Sequence, residues 1–205
     1  MTTVLGLRWP VELHDPPVGL RPLRFRDSRA WHEVRERNKD WLQPWEATVP
    51  PPENSHEMRF RQLVRLYSAQ ARSHEALTWV ITYQDRLAGL LRVASIVWGS
   101  ARSASIGYWV DGALAGRGIM PTAVAMASDH CFSTVGLHRI EVNIRPENEA
   151  SLRVVEKLGF RDEGMRLRFL HIDGDWRDHR TFALTAEDLP EGGLLRRWKA
   201  SKRPA

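Results

Sequence analysis

The chain has 205 residues, 42% hydrophobic and 27% charged, with a formal net charge of +5 and a pI of about 9.9. That balance suits one soluble globular domain with a full core and at most a small appendage. The absence of an apolar run of about 18 residues, of a basic head before an apolar leader, and of a second cysteine beside Cys131 excludes a membrane span, a secretory signal and an internal disulfide; a cytoplasmic location is expected.

The predicted elements begin with a short strand at 18–23, placed at a sheet edge by Pro22. A helix capped by Asp27 or Ser28 runs to about Asn38 and lays Trp31, Val34 and the stems of Arg35 and Arg37 on the sheet. Trp41-Leu-Gln-Pro-Trp45-Glu46, running into Pro50-Pro51-Pro52, reads as an ordered apolar loop. It either plugs the core or walls a substrate groove with Trp41, Trp45 and Glu46. Asn54 or Ser55 caps a second helix to about Ala71, patterned by Met58, Leu63, Leu66 and Tyr67.

Residues 78–83 and 87–98 form a hairpin about Gln84-Asp85-Arg86, and 105–110 extends it into an antiparallel meander. Beyond a glycine-punctuated turn, Met120, Val124, Ala127, Ser128 and Cys131 recur at helical spacing as far as Gly136. Cys131 sits on the apolar face of this helix, as packing rather than as a nucleophile. Residues 138–144 alternate strictly, as a strand does. Asn148 caps a further helix and Gly159 ends it. Strands at 160–168 and 180–185 close the chain, with a turn at Asp173-Gly174. The run from Asp173 to His179 has neither the glycine and glutamate of a calcium loop nor a histidine pair, so it reads as a turn without a metal.

Gly116 and Gly118 stand where the strand at 105–110 gives way to a helix. Glycine there admits φ > 0 and close approach of a ligand to the backbone. The first N–H groups of the helix have no partner inside it, and the helix dipole favours an anion beside them. The third glycine of a dinucleotide fingerprint and the lysine of a nucleotide P-loop are both missing. The turn is read as the holder of a coenzyme's pyrophosphate, against the alternative of a plain strand-to-helix connection. The basic charge agrees with an anionic partner: a polyphosphate cofactor, a ribosome or another nucleic acid. Much of it lies in Arg196, Arg197, Lys199, Lys202 and Arg203, without a direct nucleic-acid motif.

The order strand, glycine turn, helix, strand, followed by Asn148-x-x-Ser151-x-x-x-Val155-x-x-x-Gly159-Phe160, resembles the GNAT acyltransferase superfamily. That family's phosphate motif is Gln/Arg-x-x-Gly-x-Gly/Ala. Here Gly116 and Gly118 match, while Ala113 replaces the usual first residue; Leu158-Gly159-Phe160 matches the end of the second motif. Within the superfamily the chain is similar to the RimJ/RimL branch, which acetylates N-terminal amines of ribosomal proteins. Trp41 to Glu46 and Ile172-Asp-Gly-Asp-Trp-Arg-Asp-His179 carry that likeness. The resemblance covers 18–185, leaving 1–17 as an N-terminal extension and 186–205 as a basic tail.

The resemblance implies an α+β fold: a central mixed, mostly antiparallel sheet, splayed in the middle, with helices on both faces. Acetyl-CoA would be the cosubstrate, without a metal. Its pantetheine would lie along Trp109, Val110 and Asp111, with the Val110 N–H facing the thioester oxygen. Its phosphates would meet Gly116, Arg117, Gly118, Ile119 and Met120. Asn143, Asn148 and Ser151 would add coenzyme contacts. The partner would be a protein N-terminus, ribosomal by this likeness, and the protein a monomer or weak homodimer.

For chemistry, Glu141 is the first candidate base and Glu46 the second. Ser151 is the candidate acid, because Val155 occupies the position where relatives carry a tyrosine. An α-amine needs little help: at a pKa near ~7.8, roughly a fifth is neutral at about pH 7.2, against under ~0.1% of a lysine. Two other readings stay open, a small-molecule amine such as an antibiotic or polyamine as acceptor, and a noncatalytic acyl-CoA-binding protein.

Overall fold

A computed structural model of the chain describes residues 9–50 and 58–202. Strands β1 (Leu13–Asp15) and β2 (Val18–Arg21) precede helices α1 (Ser28–Arg37), α2 (Lys39–Leu42) and α3 (Phe60–Arg72). Then come β3 (Leu77–Tyr83), β4 (Arg86–Val97), β5 (Ser103–Val110), α4 (Ile119–His130) and β6 (Arg139–Ile144). The chain closes with α5 (Glu149–Lys157), β7 (Arg161–Ile172), β8 (Asp175–Thr185) and α6 (Gly193–Ser201). The eight strands form one sheet in the order β1-β2-β3-β4-β5-β6-β8-β7. Every neighbouring pair is antiparallel except β5 and β6.

That parallel pair positions the site. β5 and β6 are in register only at Ser103/Arg139, Ala104/Ile140 and Ser105/Glu141. Beyond Ser105, β5 stays on β4 as far as Val110, while β6 follows β8 as far as Ile144. The sheet opens between them, so the end of β5 faces a gap on one side.

Strand alternation divides the core between the two faces. Trp79, Ile81, Ala104, Ile106, Ile140 and Val142 pack with α4 and α5 on one face. Val80 and Leu87 pack with Val34 of α1 and Phe60 and Val64 of α3 on the other, where Trp31 and Trp109 meet edge to face at 5.8 Å. Burying a side chain of this size is worth about 1.5–3 kcal/mol. α4 is buried throughout its first ten residues, which explains why its apolar stripe has no sharp polar edge. It continues as a π turn, Cys131–Val135, to Gly136 at φ 80°. Burial pushes the Cys131 thiol up to about 12, so it packs and stays un-ionised.

Several boundaries differ from the sequence expectation. β2 is not an edge strand, since β1 covers it, and Pro22 falls just past its end. The second helix starts at Phe60, leaving Met58 exposed ahead of it; the expected Asn54–Ser55 cap lies outside the described residues. β7 and β8 are longer than read, because β7 is a solvated edge strand whose charged residues mask its alternation.

The described parts of the segments on either side of 18–185 are built into the fold. β1 is part of the sheet. α6 buries Leu194 and Trp198 against α4, and Asp129 accepts the N–H groups of Leu194 and Leu195 at 2.8 and 3.0 Å. The Arg-Arg-Trp-Lys run reads as bare charge only if the apolar spacing Leu194, Leu195, Trp198 is overlooked. Among the described residues, no helix is long and apolar enough to cross a membrane.

Candidate active site

A cavity of about 420 Å³ opens where β5 leaves β6. Trp41, Trp45, Tyr108, Trp109 and Val110 line one end, and Gly116, Gly118, Ile119 and Met120 the other. Asn148, Ser151, Arg153, Val154 and Lys157 of the α5 region form the facing wall. Most of this lining is apolar with a few directed polar groups, the composition of a small-molecule site.

The phosphate end is built from backbone. Gly116 and Gly118 stand at φ 79° and 77°, and Gly118 is the N-cap of α4. Within the described hydrogen bonds, no protein acceptor takes the N–H groups of Gly116, Arg117, Gly118, Ile119 or Met120. Pro121, which has no N–H, follows as the third helical residue. The turn thus presents unpaired amides at the positive end of a helix dipole.

The β5 end turns on one hydrogen bond. Asp111 N–H donates to the Ala88 carbonyl at 2.7 Å. By the alternation of an antiparallel ladder, the N–H and C=O of Val110 point away from β4, towards the gap. The Val110 carbonyl accepts the Trp41 indole N–H at 3.3 Å. Its N–H meets no acceptor among the described hydrogen bonds.

The sequence-selected residues divide accordingly. Trp41, Trp45, Trp109, Val110, Gly116, Gly118, Ile119, Met120, Asn148 and Ser151 come together around the cavity. Arg117 lies in the turn between the two glycines. Asn148 caps α5, its Oδ1 accepting the Ser151 N–H at 3.0 Å.

Four residues do not join them. Asp111 is a buried structural carboxylate whose side chain does not line the cavity. It accepts Arg37 Nε and Nη2 at 3.0 and 2.5 Å, Asn38 Nδ2 at 3.0 Å and the Ala113 N–H at 3.2 Å. Burial alone would raise its pKa, but the hydrogen bonds from Arg37, Asn38 and Ala113 outweigh it and hold the carboxyl below its usual value. Glu141 is gripped by Arg139 and Arg166 at 2.9 and 2.8 Å on a face outside the cavity, where a paired carboxylate is a poor base. Asn143, on the same face of β6, accepts the Thr181 hydroxyl at 2.8 Å. Glu46 forms a bidentate pair with Arg35 and lines a neighbouring groove with Trp31 and Gln43. Strict alternation on β6 identifies the polar face but not which face the cavity uses.

Tyr108 is the group that sequence reasoning missed. The residue lines the cavity, its hydroxyl donates to the Ser151 carbonyl at 3.5 Å, and burial raises its pKa above the ordinary phenol value. Its position two residues after Ile106, on the same strand face, was the available signal. The carboxylates that line the cavity, Glu147 and Glu149, are paired with Arg145 and Arg153, each at 3.2 Å.

The Trp41–Trp45 loop is tied to the β7–β8 hairpin. Gln43 Nε2 reaches Asp173 Oδ1 at 3.1 Å, the Thr48 N–H donates to the His171 carbonyl at 2.8 Å, and Ala47 bridges Ile172. The Arg145 guanidinium stacks 5.4 Å over Trp45 and donates to the Pro44 carbonyl at 2.8 Å. The two segments that carry the RimJ/RimL likeness are therefore neighbours in space.

A sheet splayed at one parallel pair, with an amide-rich turn below the splay, defines an acyl-CoA-dependent N-acyltransferase. Residues 18–161 match the family described as Acetyltransferase (GNAT) domain, and the chain belongs to that family, whose acetyl donor is acetyl-CoA. It is 30% identical to the [ribosomal protein uS5]-alanine N-acetyltransferase of Escherichia coli, over 89% of this chain and 94% of that protein. It is 31% identical to a probable N-acetyltransferase of Bacillus subtilis, over 83% and 95%. The structure of Mycobacterium smegmatis RimJ in complex with CoA-disulfide superimposes with a TM-score of 0.86 at 39% identity, covering 95% of this chain and 96% of that one. The protein is an N-acetyltransferase close to the ribosomal-protein alanine and serine acetyltransferases.

Proposed function

We propose that the chain moves acetyl from acetyl-CoA to the N-terminal α-amine of a protein, a ribosomal protein by its similarity to the E. coli enzyme, through direct attack in a ternary complex. The single observation that carries this reading is the pairing, in one cavity, of unpaired turn amides at 116–120 with the outward-facing N–H of Val110. The amides suit a diphosphate. The Val110 N–H suits the thioester oxygen as it gains charge, a donor worth about 3 kcal/mol.

The leaving sulfur would take a hydrogen bond from Tyr108, with the Ser151 hydroxyl as the second donor within reach. A phenol above its usual ~10 keeps its proton beside a thiolate whose conjugate acid is near ~8.5, so Tyr108 stabilises the thiolate without giving up its proton outright. An α-amine is partly neutral already, so it attacks without a base on the protein; the proton it sheds on forming the amide passes to water, and the CoA thiolate takes one from water in turn. Glu147 lines both this cavity and a groove of about 550 Å³ beside Trp176, where Asp175 and Asp178 alternate with Arg145, Arg168 and Arg177, which offers the acceptor peptide a polar approach of mixed charge.

Release of CoA thiol is the test, comparing an Ala-Arg peptide, the same peptide N-terminally blocked and carrying a lysine, spermine and an aminoglycoside. The free N-terminus should lead by at least ~100-fold in kcat/KM, in keeping with the roughly 3.5 kcal/mol difference in deprotonation. Preference for spermine or the aminoglycoside would replace this reading with a small-amine acetyltransferase.

A further inference from the structure

α6 sets a charge against the glycine turn, beside the residues that line the cavity, and the reaction above leaves it unused. Lys202 follows the last residue of α6 and lies against the glycine turn: a β-carbon built on Gly118 would stand 2.6 Å from its Nζ. Lys157, the last residue of α5, lines the cavity itself. The two ammonium groups flank one indole, at 4.3 and 5.9 Å from the Trp198 ring centre. Trp198 in turn is fixed to the turn, its Nε1–H donating to Thr122 Oγ1 at 2.9 Å while the Thr122 hydroxyl donates to the Gly118 carbonyl at 2.9 Å.

Neither lysine takes part in an ion pair among the described residues, although Lys199 on the preceding turn reaches Asp15 at 2.6 Å. Two cations about one ring, beside the positive end of a helix, repel one another. Burial pushes the Lys202 ammonium below the ordinary lysine value; the nearby Asp15 carboxylate works against that, and Lys157 and Lys199 add to it. An anion at the turn relieves that repulsion. α6 lies outside residues 18–161 of the family match.

We propose that Lys202, carried on α6 and set opposite Lys157 across Trp198, is a coenzyme-binding residue that completes the diphosphate site begun by the turn amides. The inference rests on the reading that the turn holds the diphosphate of acetyl-CoA. It makes the C-terminal helix part of the coenzyme site.

Calorimetric titration of the full chain and of Lys202→Met with CoA, 3′-dephospho-CoA and pantetheine tests it. Lys202→Met should weaken CoA and 3′-dephospho-CoA alike, by about tenfold, and leave pantetheine unchanged. Lys202→Arg should restore binding to within about threefold. Without coenzyme, Lys202→Met should melt within a few degrees of the unaltered protein, since the lost repulsion offsets the lost contact with the Trp198 ring. Equal affinity for CoA in the two proteins would overturn the proposal, as would a loss that extends to pantetheine or a melting temperature several degrees lower. A loss confined to CoA would move Lys202 to the 3′-phosphate and overturn the diphosphate assignment. No heat from the unaltered protein with CoA would instead remove the placement of the coenzyme, and this inference with it.

Discussion

Replacing Asp111 by asparagine isolates the corner that aims Val110 at the gap. The Asp111 carboxylate receives two hydrogen bonds from Arg37 on one oxygen, and bonds from Asn38 and the Ala113 amide on the other. In Asp111→Asn the remaining oxygen keeps Asn38 and Ala113, while the new NH₂ meets the guanidinium donor to donor. Hydrogen bonds to a charged group are worth about 1.5–3 kcal/mol. The Arg37 side chain is 50% exposed and water can replace its partner, so the loss should sit near the low end, about 2 kcal/mol. At roughly 2–4 °C per kcal/mol for a chain of this size, the variant should melt about 4–8 °C lower at pH 7. The folded-state pKa of Asp111 is depressed. Its contribution is therefore complete above the unfolded value of ~3.9 and disappears as pH falls through the lower folded value. Calorimetric melting of both proteins from pH 7 to pH 3 should show the gap closing below about pH 4. Equal melting temperatures at pH 7, or a gap that stays constant to pH 3, would refute the role given to this carboxylate.

Tyr108→Phe should lower kcat by roughly ten- to hundredfold with little change in KM for acetyl-CoA, and by more than Ser151→Ala does; the reverse ranking in thiol-release assays would return the donor role to Ser151. Glu141→Gln should change kcat/KM less than about threefold, whereas a hundredfold loss would reinstate it as a base despite its two arginine partners. With an α-amine acceptor, kcat/KM should rise with pH through about 7.8 and then level off; an additional limb near pH 6 would reveal a protein base. Alkylation by iodoacetamide at pH 8 should leave the native enzyme active, because Cys131 is buried with its thiol pushed up to about 12. Rapid inactivation would show that the thiol is reachable.

The glycine turn was legible because its chemistry is local: Gly116 and Gly118 fix the backbone, and the helix that follows supplies the dipole. Asn148 and Gly159 were legible for the same reason, as a cap and a stop. Glu141 and Asn143 misled because alternation on β6 gives two faces and does not say which one the opening between β5 and β6 serves. Asp111 misled because adjacency to Val110 in sequence puts its side chain on the opposite side of the strand, where Arg37 and Asn38 wait on α1. Tyr108 was hidden by its neighbours Trp109 and Gly107, which draw attention to the strand as a ladder and not to the residue's place on the cavity wall. Lys202 was out of reach from sequence because its place depends on how α6 docks across α4, a contact between residues 76 apart in Trp198 and Thr122.

The ion pair between Asp15 and Lys199 joins the sheet's first strand to its last helix. Translation makes β1 early and α6 late, and domains fold as the chain emerges. All eight strands therefore leave the ribosome while the region around Gly118 still lacks Trp198 and Lys202. The cover over α4 should arrive last, and a prematurely terminated product would leave the apolar surface under Leu194 and Trp198 open to water.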